Sequence, residues 1–460
     1  MRKKNILFIM TDQQRLDALG CVNGWMRTPA LDALAKEGVL FTRCITNSPV
    51  CIPARFSLAT GYYPHQTGIF DNIAVDMLPS MDLWTRQIKE AGYNTGVFGK
   101  THLHRHTGDL RDREHLVNAY GFDVVDEIGG PRASAYVKSH MTDLWDEQGW
   151  LEKYCADYKE RFDQKPHWVR PSVLPLGLYA DNYVGQQANN YLKQLDKGKP
   201  WFCWVSFGGP HEPWDAPEPY ASMYKPSDMP KANTSDLKKL DKGKDGVMLK
   251  KLKNAPELTR KDVQEMRANY AGNVSLIDEQ IYDLLETIKQ RGEYENTIVV
   301  FTSDHGEMNG DHGLIYKNVF FNEAIKVPLI ISTPETRKAY QHKSDPEICA
   351  AQIELFDLGP TILDMLEIQP NDSKQSARAF SACLLDTSRS HRDWVFSEVS
   401  GEVMVMDGQC KLVANSNMKP YMQFDLNEDV KESQNVVNNL KYLRTRYQLT
   451  KRIKAHIRQS

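Results

Sequence analysis

The sequence predicts an α/β protein: a large mixed, mostly parallel sheet flanked by helices, followed by a small antiparallel sheet subdomain and a C-terminal helix. Three observations predict it. Short apolar runs rich in branched residues alternate with longer amphipathic segments over about the first 370 residues, the pattern of a parallel sheet covered by helices. The alternation then stops, and short strand-like runs follow without long helices between them. Finally, 460 residues with 41% apolar, 25% charged, 28 Gly and 23 Pro can bury a large core, which excludes disordered, collagenous and low-complexity classes. The division expected is an α/β domain over 1–370, with insertions at about 130–175 and 231–262, and an α+β subdomain over 371–460.

Taken in order, Asn5 to Met10 reads as a buried strand, Ala30 to Glu37 and Leu83 to Ala91 as helices, and Thr95 to Phe98 as the next strand. Trp201 to Phe207 continues the series. The longest helical periodicity runs from about Val263 to Gln290, is stopped by Gly292, and leads into the strand Thr297 to Thr302. Val327 to Ser332 reads as a strand and Gln352 to Leu366 as a helix. Beyond residue 370, strands are expected at Trp394 to Ser397, Glu402 to Met406 and Lys411 to Ala414, and a basic amphipathic helix from Val436 to Ile457. Residues 130–175, with Trp145, Trp150 and Trp168, and the Lys-rich residues 231–262 fit the sheet poorly and read as surface insertions of the kind that border a site.

Fifty-seven basic against 60 acidic residues leave a net charge of -3, too balanced for nucleic-acid or membrane-surface binding from bulk charge. The eight cysteines (21, 44, 51, 155, 203, 349, 383, 410) show no metal-type spacing and no readable disulfide framework. The apolar run after the N-terminal Met-Arg-Lys-Lys is too short for a signal peptide, and no stretch approaches the roughly 20 apolar residues of a membrane helix. As written the chain reads as cytoplasmic, or as periplasmic or secreted if a leader was removed.

The sharpest chemical signal is Cys51-Ile-Pro-Ala-Arg55 followed by Phe56-Ser-Leu-Ala-Thr-Gly61. Pro53 fits the first turn of a helix whose N-terminus lies at Cys51, and Arg55 adds a fixed positive charge on that turn, so Cys51 stands where an anion would bind. Asp12 and Gln13 follow the first predicted strand; Asp304 and His305 follow the strand ending at Thr302. In open α/β sheets ligands gather at the carboxyl ends of strands, so the two pairs can converge although most of the chain lies between them. Their oxygens would suit a hard divalent cation.

The Cys51–Gly61 element resembles the signature of the type I sulfatases, Cys-x-Pro-Ser/Ala-Arg followed by a Thr-Gly pair, whose cysteine is oxidised after translation to formylglycine. The resemblance extends over nearly the whole chain. Gly99-Lys-Thr-His-Leu103, Pro210-His-Glu-Pro213, Lys317 and Met422-Gln-Phe-Asp-Leu-Asn-Glu-Asp429 match further family elements. It implies an alkaline phosphatase-like fold. It also implies a divalent metal held by Asp12, Gln13, Asp304 and His305 together with residue 51: calcium by family precedent, with Mn2+ or Mg2+ the alternatives. Gln13 stands where the family commonly has a second Asp, and His305 where it has Asn, which removes one negative charge and adds a nitrogen ligand.

In the mechanism the resemblance implies, one oxygen of the hydrated aldehyde at residue 51 attacks sulfur. Lys100 and Lys317 bind the sulfate, His211 protonates the leaving alcohol, and His102 is the base that lets the second hydroxyl expel sulfate; Arg55 orients the diol. The partners implied are a sulfated small molecule or glycan and a formylglycine-generating maturation enzyme; no nucleic acid or membrane is expected, and the oligomeric state is open. A sulfated carbohydrate is the expected substrate, because the two insertions carry Trp, His, Arg and Lys residues suited to stacking on sugars and pairing with anions. The rival is a phosphonate or phosphate ester hydrolase of the same superfamily, which shares the Asp-Gln and Asp-His pairs but tends to lose the Lys-x-His element kept here as Lys100 and His102. A non-catalytic binder of sulfated glycans would have no need of an intact modification motif.

Overall fold

The computed structural model describes residues 2–165, 167–235, 237, 245–371 and 375–458. Its centre is an eight-stranded sheet in the order Glu347–Cys349, Val39–Phe41, Leu329–Ser332, Thr297–Ser303, Asn5–Thr11, Trp201–Ser206, Asn94–Gly99 and Val124–Glu127. Only Leu329–Ser332 runs antiparallel to its neighbours; the other pairs are parallel. The fold class is the expected one.

The central strands are apolar throughout because both faces are covered. In Asn5–Thr11, Ile6, Phe8 and Met10 enter one core while Leu7 and Ile9 enter the other, the two-residue alternation of a strand. The first core takes apolar residues of the helices Cys51–Thr60, Trp84–Glu90 and Leu358–Met365; the second takes those of Pro29–Lys36, Ala180–Gln194 and the long Arg260–Gln290.

The antiparallel sheet Val395–Val399, Glu402–Met406, Cys410–Ala414, Pro420–Asp425 follows. Val403, Val405, Leu412 and Ala414 on one face meet Leu449 and Ile453 of the terminal helix. Val395, Met404, Met406 and Phe424 on the other meet Phe320, Phe321 and Ile325.

Three sequence readings need correction. The segment 352–366 is not one helix. Ile353–Glu354 pairs with Cys44–Ile45, and the α-helix begins at Leu358. Pro360 explains why, since proline is tolerated in a first turn and disruptive in a helix interior. The run 327–332 divides at Pro328: Lys326–Val327 pairs with Cys44–Ile45, and only Leu329–Ser332 joins the main sheet. The terminal helix spans Leu443–Ile457, not 436–457, because Asn435 and Asn439 side chains accept from backbone N–H groups at Val437 and Lys441 and hold that stretch in turns.

The insertion at 130–175 is largely helical, with His140–Glu147 and Leu151–Gln164. Trp145 is fully buried there and donates to Leu178 O at 2.8 Å. In the second insertion, 236 and 238–244 lie outside the described residues; Val247–Lys253 is a helix anchored by Met248 and Leu252. Among the described residues no helix is long and apolar enough to cross a membrane.

Candidate active site

Register brings the two polar pairs together. Asn5–Thr11 and Thr297–Ser303 are parallel neighbours with Thr11 opposite Ser303, so the residues that follow each strand leave the sheet side by side. The Gln13 backbone N–H donates to Asp304 Oδ1 at 3.1 Å, across 291 positions of sequence.

The helix Cys51–Thr60 lies on the first core with every residue buried. No side chain caps its N-terminus at Val50, which leaves the positive end of its dipole at Cys51. Cys51 Sγ lies 3.1 Å from His305 Nε2 and 3.8 Å from Asp12 Oδ1.

Arg55, one turn on and fully buried, knits the site from beneath. Its Nε donates to Asp304 Oδ2 at 2.8 Å, its Nη2 to Asp12 Oδ2 at 3.1 Å and its Nη1 to Ser206 Oγ at 3.1 Å. Nη1 also donates to the Lys100 carbonyl, so the guanidinium's donors go to two carboxylates and to the ends of the Asn94–Gly99 and Trp201–Ser206 strands.

Lys100 follows Gly99, whose φ of +98° and approach to Ser206 O, 2.0 Å from where a Cβ would stand, admit only glycine. Lys100 Nζ reaches Asp12 Oδ2 at 2.5 Å. His211 follows the Trp201–Ser206 strand, its Nδ1 2.7 Å from Glu212 O, and Lys317 Nζ donates to Gln13 Oε1. Cys51, Lys100, His102, His211 and Lys317 all line one cavity of about 330 Å³, with Arg132 and His106 on its wall. Gln13, His102 and Tyr316 hold positive φ of 73°, 56° and 69°, a conformation costing about 1–3 kcal/mol each in non-glycine residues and concentrated at functional sites.

A family model described as Sulfatase matches residues 4–368. The chain belongs to the sulfatase family. A second model, the C-terminal part of N-sulphoglucosamine sulphohydrolase, matches 310–459 of this sulfatase. The sulfatase is 30% identical to the arylsulfatase of Clostridium perfringens over 96% of its own length and 91% of that protein. It is 25% identical to the N-acetylglucosamine-6-O-sulfatase of Bacteroides thetaiotaomicron, over 85% and 73% of the two chains. In fold it is similar to the phosphonate monoester hydrolase of Agrobacterium radiobacter, with a TM-score of 0.81 and 23% identity over 99% and 96% of the chains.

The electrostatics of the sulfatase site follow from burying many charges at one point. Burial and Cys51 act to raise the Asp12 pKa, yet Lys100, His211 and Arg55 hold it below its ordinary value. Burial likewise opposes ionisation of Cys51, but Lys100, Lys317 and His305 push the thiol well down. His305, against its burial, is raised to about 9 by Asp304 and Cys51. His102 is lowered to about 3 by burial and then by Lys100, so its ring is neutral.

The donor set fits a divalent cation. Asp12, Cys51, Asp304 and His305 each offer one atom within 4.8 Å of the others, and His305 Nδ1 lies 3.0 Å from Gly306 O, which directs Nε2 to the shared centre. Gln13 is differently engaged: its carbonyl accepts from Lys317, and its Nε2 donates to Glu212 Oε2 at 2.9 Å and to Glu307.

Sequence reasoning passed over Glu212 and Glu307, the buried carboxylates that fix the Gln13 amide; burial and Glu212 raise Glu307 to about 7. Glu212 stands inside the Pro210–Pro213 element and Glu307 two residues after His305, so nearness to recognised site residues was the available signal. Arg132, 48% exposed on the cavity wall and paired with Glu212 at 3.1 Å, had no signal beyond its place in an insertion.

Proposed function

We propose that this enzyme hydrolyses the sulfate ester of a sugar alcohol, with Cys51 as precursor of a formylglycine nucleophile. The observation that carries the reading is convergence: the buried Cys51, at an uncapped helix N-terminus and 3.1 Å from His305 Nε2, shares one cavity with Lys100, His102, His211 and Lys317. The 6-O-sulfated sugar in the name of the Bacteroides relative supports the substrate class. Residues 1–370 would carry the catalysis, with 371–460 as a C-terminal subdomain, and a maturation enzyme is the required partner for Cys51.

Asp12, Asp304 and His305, with residue 51 and the neighbouring Gln13, would hold one divalent ion, calcium or, as alternatives, manganese or magnesium. That ion supplies Lewis-acid polarisation of a sulfate oxygen, and the hydrated aldehyde supplies the attacking oxygen. The remaining work falls to this chain's side chains. Lys100 and Lys317 bind the sulfate oxygens and offset the charge that builds there. His211, oriented through Nδ1 by the Glu212 carbonyl, presents Nε2 to protonate the departing alkoxide. His102, kept neutral, offers a lone pair to the second hydroxyl, and an anion against Lys100 offsets part of what depresses its basicity. Arg55 is a positioning residue, holding Asp12 and Asp304 at a fixed separation.

A second reading, a phosphonate or phosphate ester hydrolase, is favoured by the Asp304-His305 pair. Kinetics of the matured enzyme on matched aryl sulfate and aryl phosphonate esters separate the two. A kcat/KM at least about tenfold higher on the sulfate, a preference of about 1.4 kcal/mol, supports the sulfatase assignment; the reverse order overturns it.

A further inference from the structure

Two further imidazoles lie beside the same cavity, His106 on its wall and His104 buried behind it, and take no part in the chemistry above. His104 and His106 lie two positions apart on the irregular segment after Lys100, and Glu127 ends the edge strand Val124–Glu127. His104 Nε2 is 2.5 Å from Glu127 Oε2, while its Nδ1 faces the Arg105 carbonyl at 3.1 Å. The other oxygen of Glu127 accepts from the Thr101 hydroxyl. The His106 ring lies 5.3 Å from that of His104 and 4.4 Å from that of His102. His104, His106 and Glu127 each offer one ligand atom within 4.8 Å of the others.

The polar accounts of this group do not close. Both ring nitrogens of His106 and Nδ1 of His102 are buried with no hydrogen bond that meets normal geometry among the described residues, although the Gly129 backbone acts on the His106 ring. A buried donor or acceptor left without a partner keeps its desolvation penalty uncompensated. His104 is already in the posture of a metal ligand, one ring nitrogen on a backbone carbonyl and the other turned inward. Two imidazoles and a carboxylate are a ligand set that zinc-class ions prefer and calcium does not.

We propose that His104 Nε2, His106 and Glu127 Oε2 form a second metal site, for a divalent ion of the zinc class, separate from the Asp12–Cys51–Asp304–His305 centre. As the ion binds, the proton shared between His104 Nε2 and Glu127 Oε2 leaves to solvent and three metal–ligand bonds form. Water fills the fourth position and gives His102 Nδ1 the partner it lacks. The ion ties the segment 101–107 to the edge of the main sheet and stiffens the cavity wall beside His102.

The test is direct metal binding, with no readout of turnover. Full-length protein and its Asp304→Asn variant are stripped with chelator and titrated with Zn2+ and with Co2+. The expected result is one tight equivalent retained in Asp304→Asn, with the intense visible bands of four-coordinate cobalt, and its loss in Asp304→Asn combined with His106→Ala or His104→Gln. Absence of tight binding in Asp304→Asn, or binding that survives both histidine replacements, overturns the proposal. Should a variant fail to fold, wild-type protein holding Ca2+ decides: a further tight equivalent of Co2+ with four-coordinate bands supports the second site, and none overturns it. Failure of the sulfate-ester reading would leave all these outcomes unchanged.

Discussion

Two regions of this molecule bury charge, and they use it differently. At the carboxyl ends of Asn5–Thr11 and Thr297–Ser303, Asp12, Asp304, Arg55 and Lys100 are buried together, and Lys100, Lys317 and His211 border an open cavity. Around the antiparallel sheet, charges close on one another. Lys411 pairs with Glu432 and also donates to Phe320 O at 2.8 Å. Arg392 spans Glu354 and Asp357, and His65 and His456 both meet Glu398 Oε1, at 2.8 and 2.6 Å. Buried charge paired within the protein braces the fold, whereas a surplus of cations gathered at a cavity holds its potential for a ligand. Replacements in the first region should therefore remove rate and leave stability largely intact, and replacements in the second should do the reverse.

The largest effect is expected at Cys51. Cys51→Ala should lower kcat/KM on the order of 10⁵- to 10⁶-fold, the scale of removing a nucleophile, with the thermal midpoint within a few degrees of wild type. Wild-type-like turnover would remove Cys51 from the chemistry. His211→Ala comes next. A sugar alkoxide needs its proton and an aryl oxide barely does, so the loss should reach about 10²- to 10⁴-fold on a sulfated sugar and be far smaller on an activated aryl sulfate. Equal losses would make His211 a sulfate-binding group.

In the second region, Lys411→Met strands Glu432, 1% exposed at its side chain. It should cost about 3–5 kcal/mol in denaturant unfolding and leave kcat per folded molecule unchanged. A fall in kcat at full folding would break the division between the regions.

The smallest effect is a pH dependence. Burial above all holds His456 below its ordinary 6.5. Against its own burial, Glu398 is held below its ordinary 4.5 by hydrogen bonds from His456 and His65. Both groups titrate lower in the folded state, so the unfolded chain binds more protons on acidification. Stability should decline as pH falls from about 6.5 and further below about 4.5. His456→Gln should flatten the first part of that decline in urea titrations, and an unchanged profile would show that His456 does not carry it.

What the sequence determined by itself is what depends on local pattern. The unbroken apolar runs at Asn5 to Met10 and Thr297 to Thr302 required strands buried on both faces, and the element from Cys51 to Gly61 placed a cysteine at a helix start. Asp12 and Asp304 were legible as strand-end residues. The helix proposed from Gln352 was not, because Ile353–Glu354 was captured by the distant Cys44–Ile45, a pairing that no local periodicity encodes. Pro360 alone marked where the helix could begin.

Only the tertiary structure decided what each side chain faces. Arg55 follows Cys51 by one turn and was expected to orient the diol, yet parallel register sets Asp12 and Asp304 beside it, and a buried guanidinium takes the nearest carboxylates. The Gln13 amide is likewise aimed by Lys317, Glu212 and Glu307, which lie between 199 and 304 positions away in sequence. The triad of His104, His106 and Glu127 exists only because the edge strand lies beside the Lys100 segment. Side-chain direction depends on partners brought near by strand register and helix packing, and those contacts are non-local by nature.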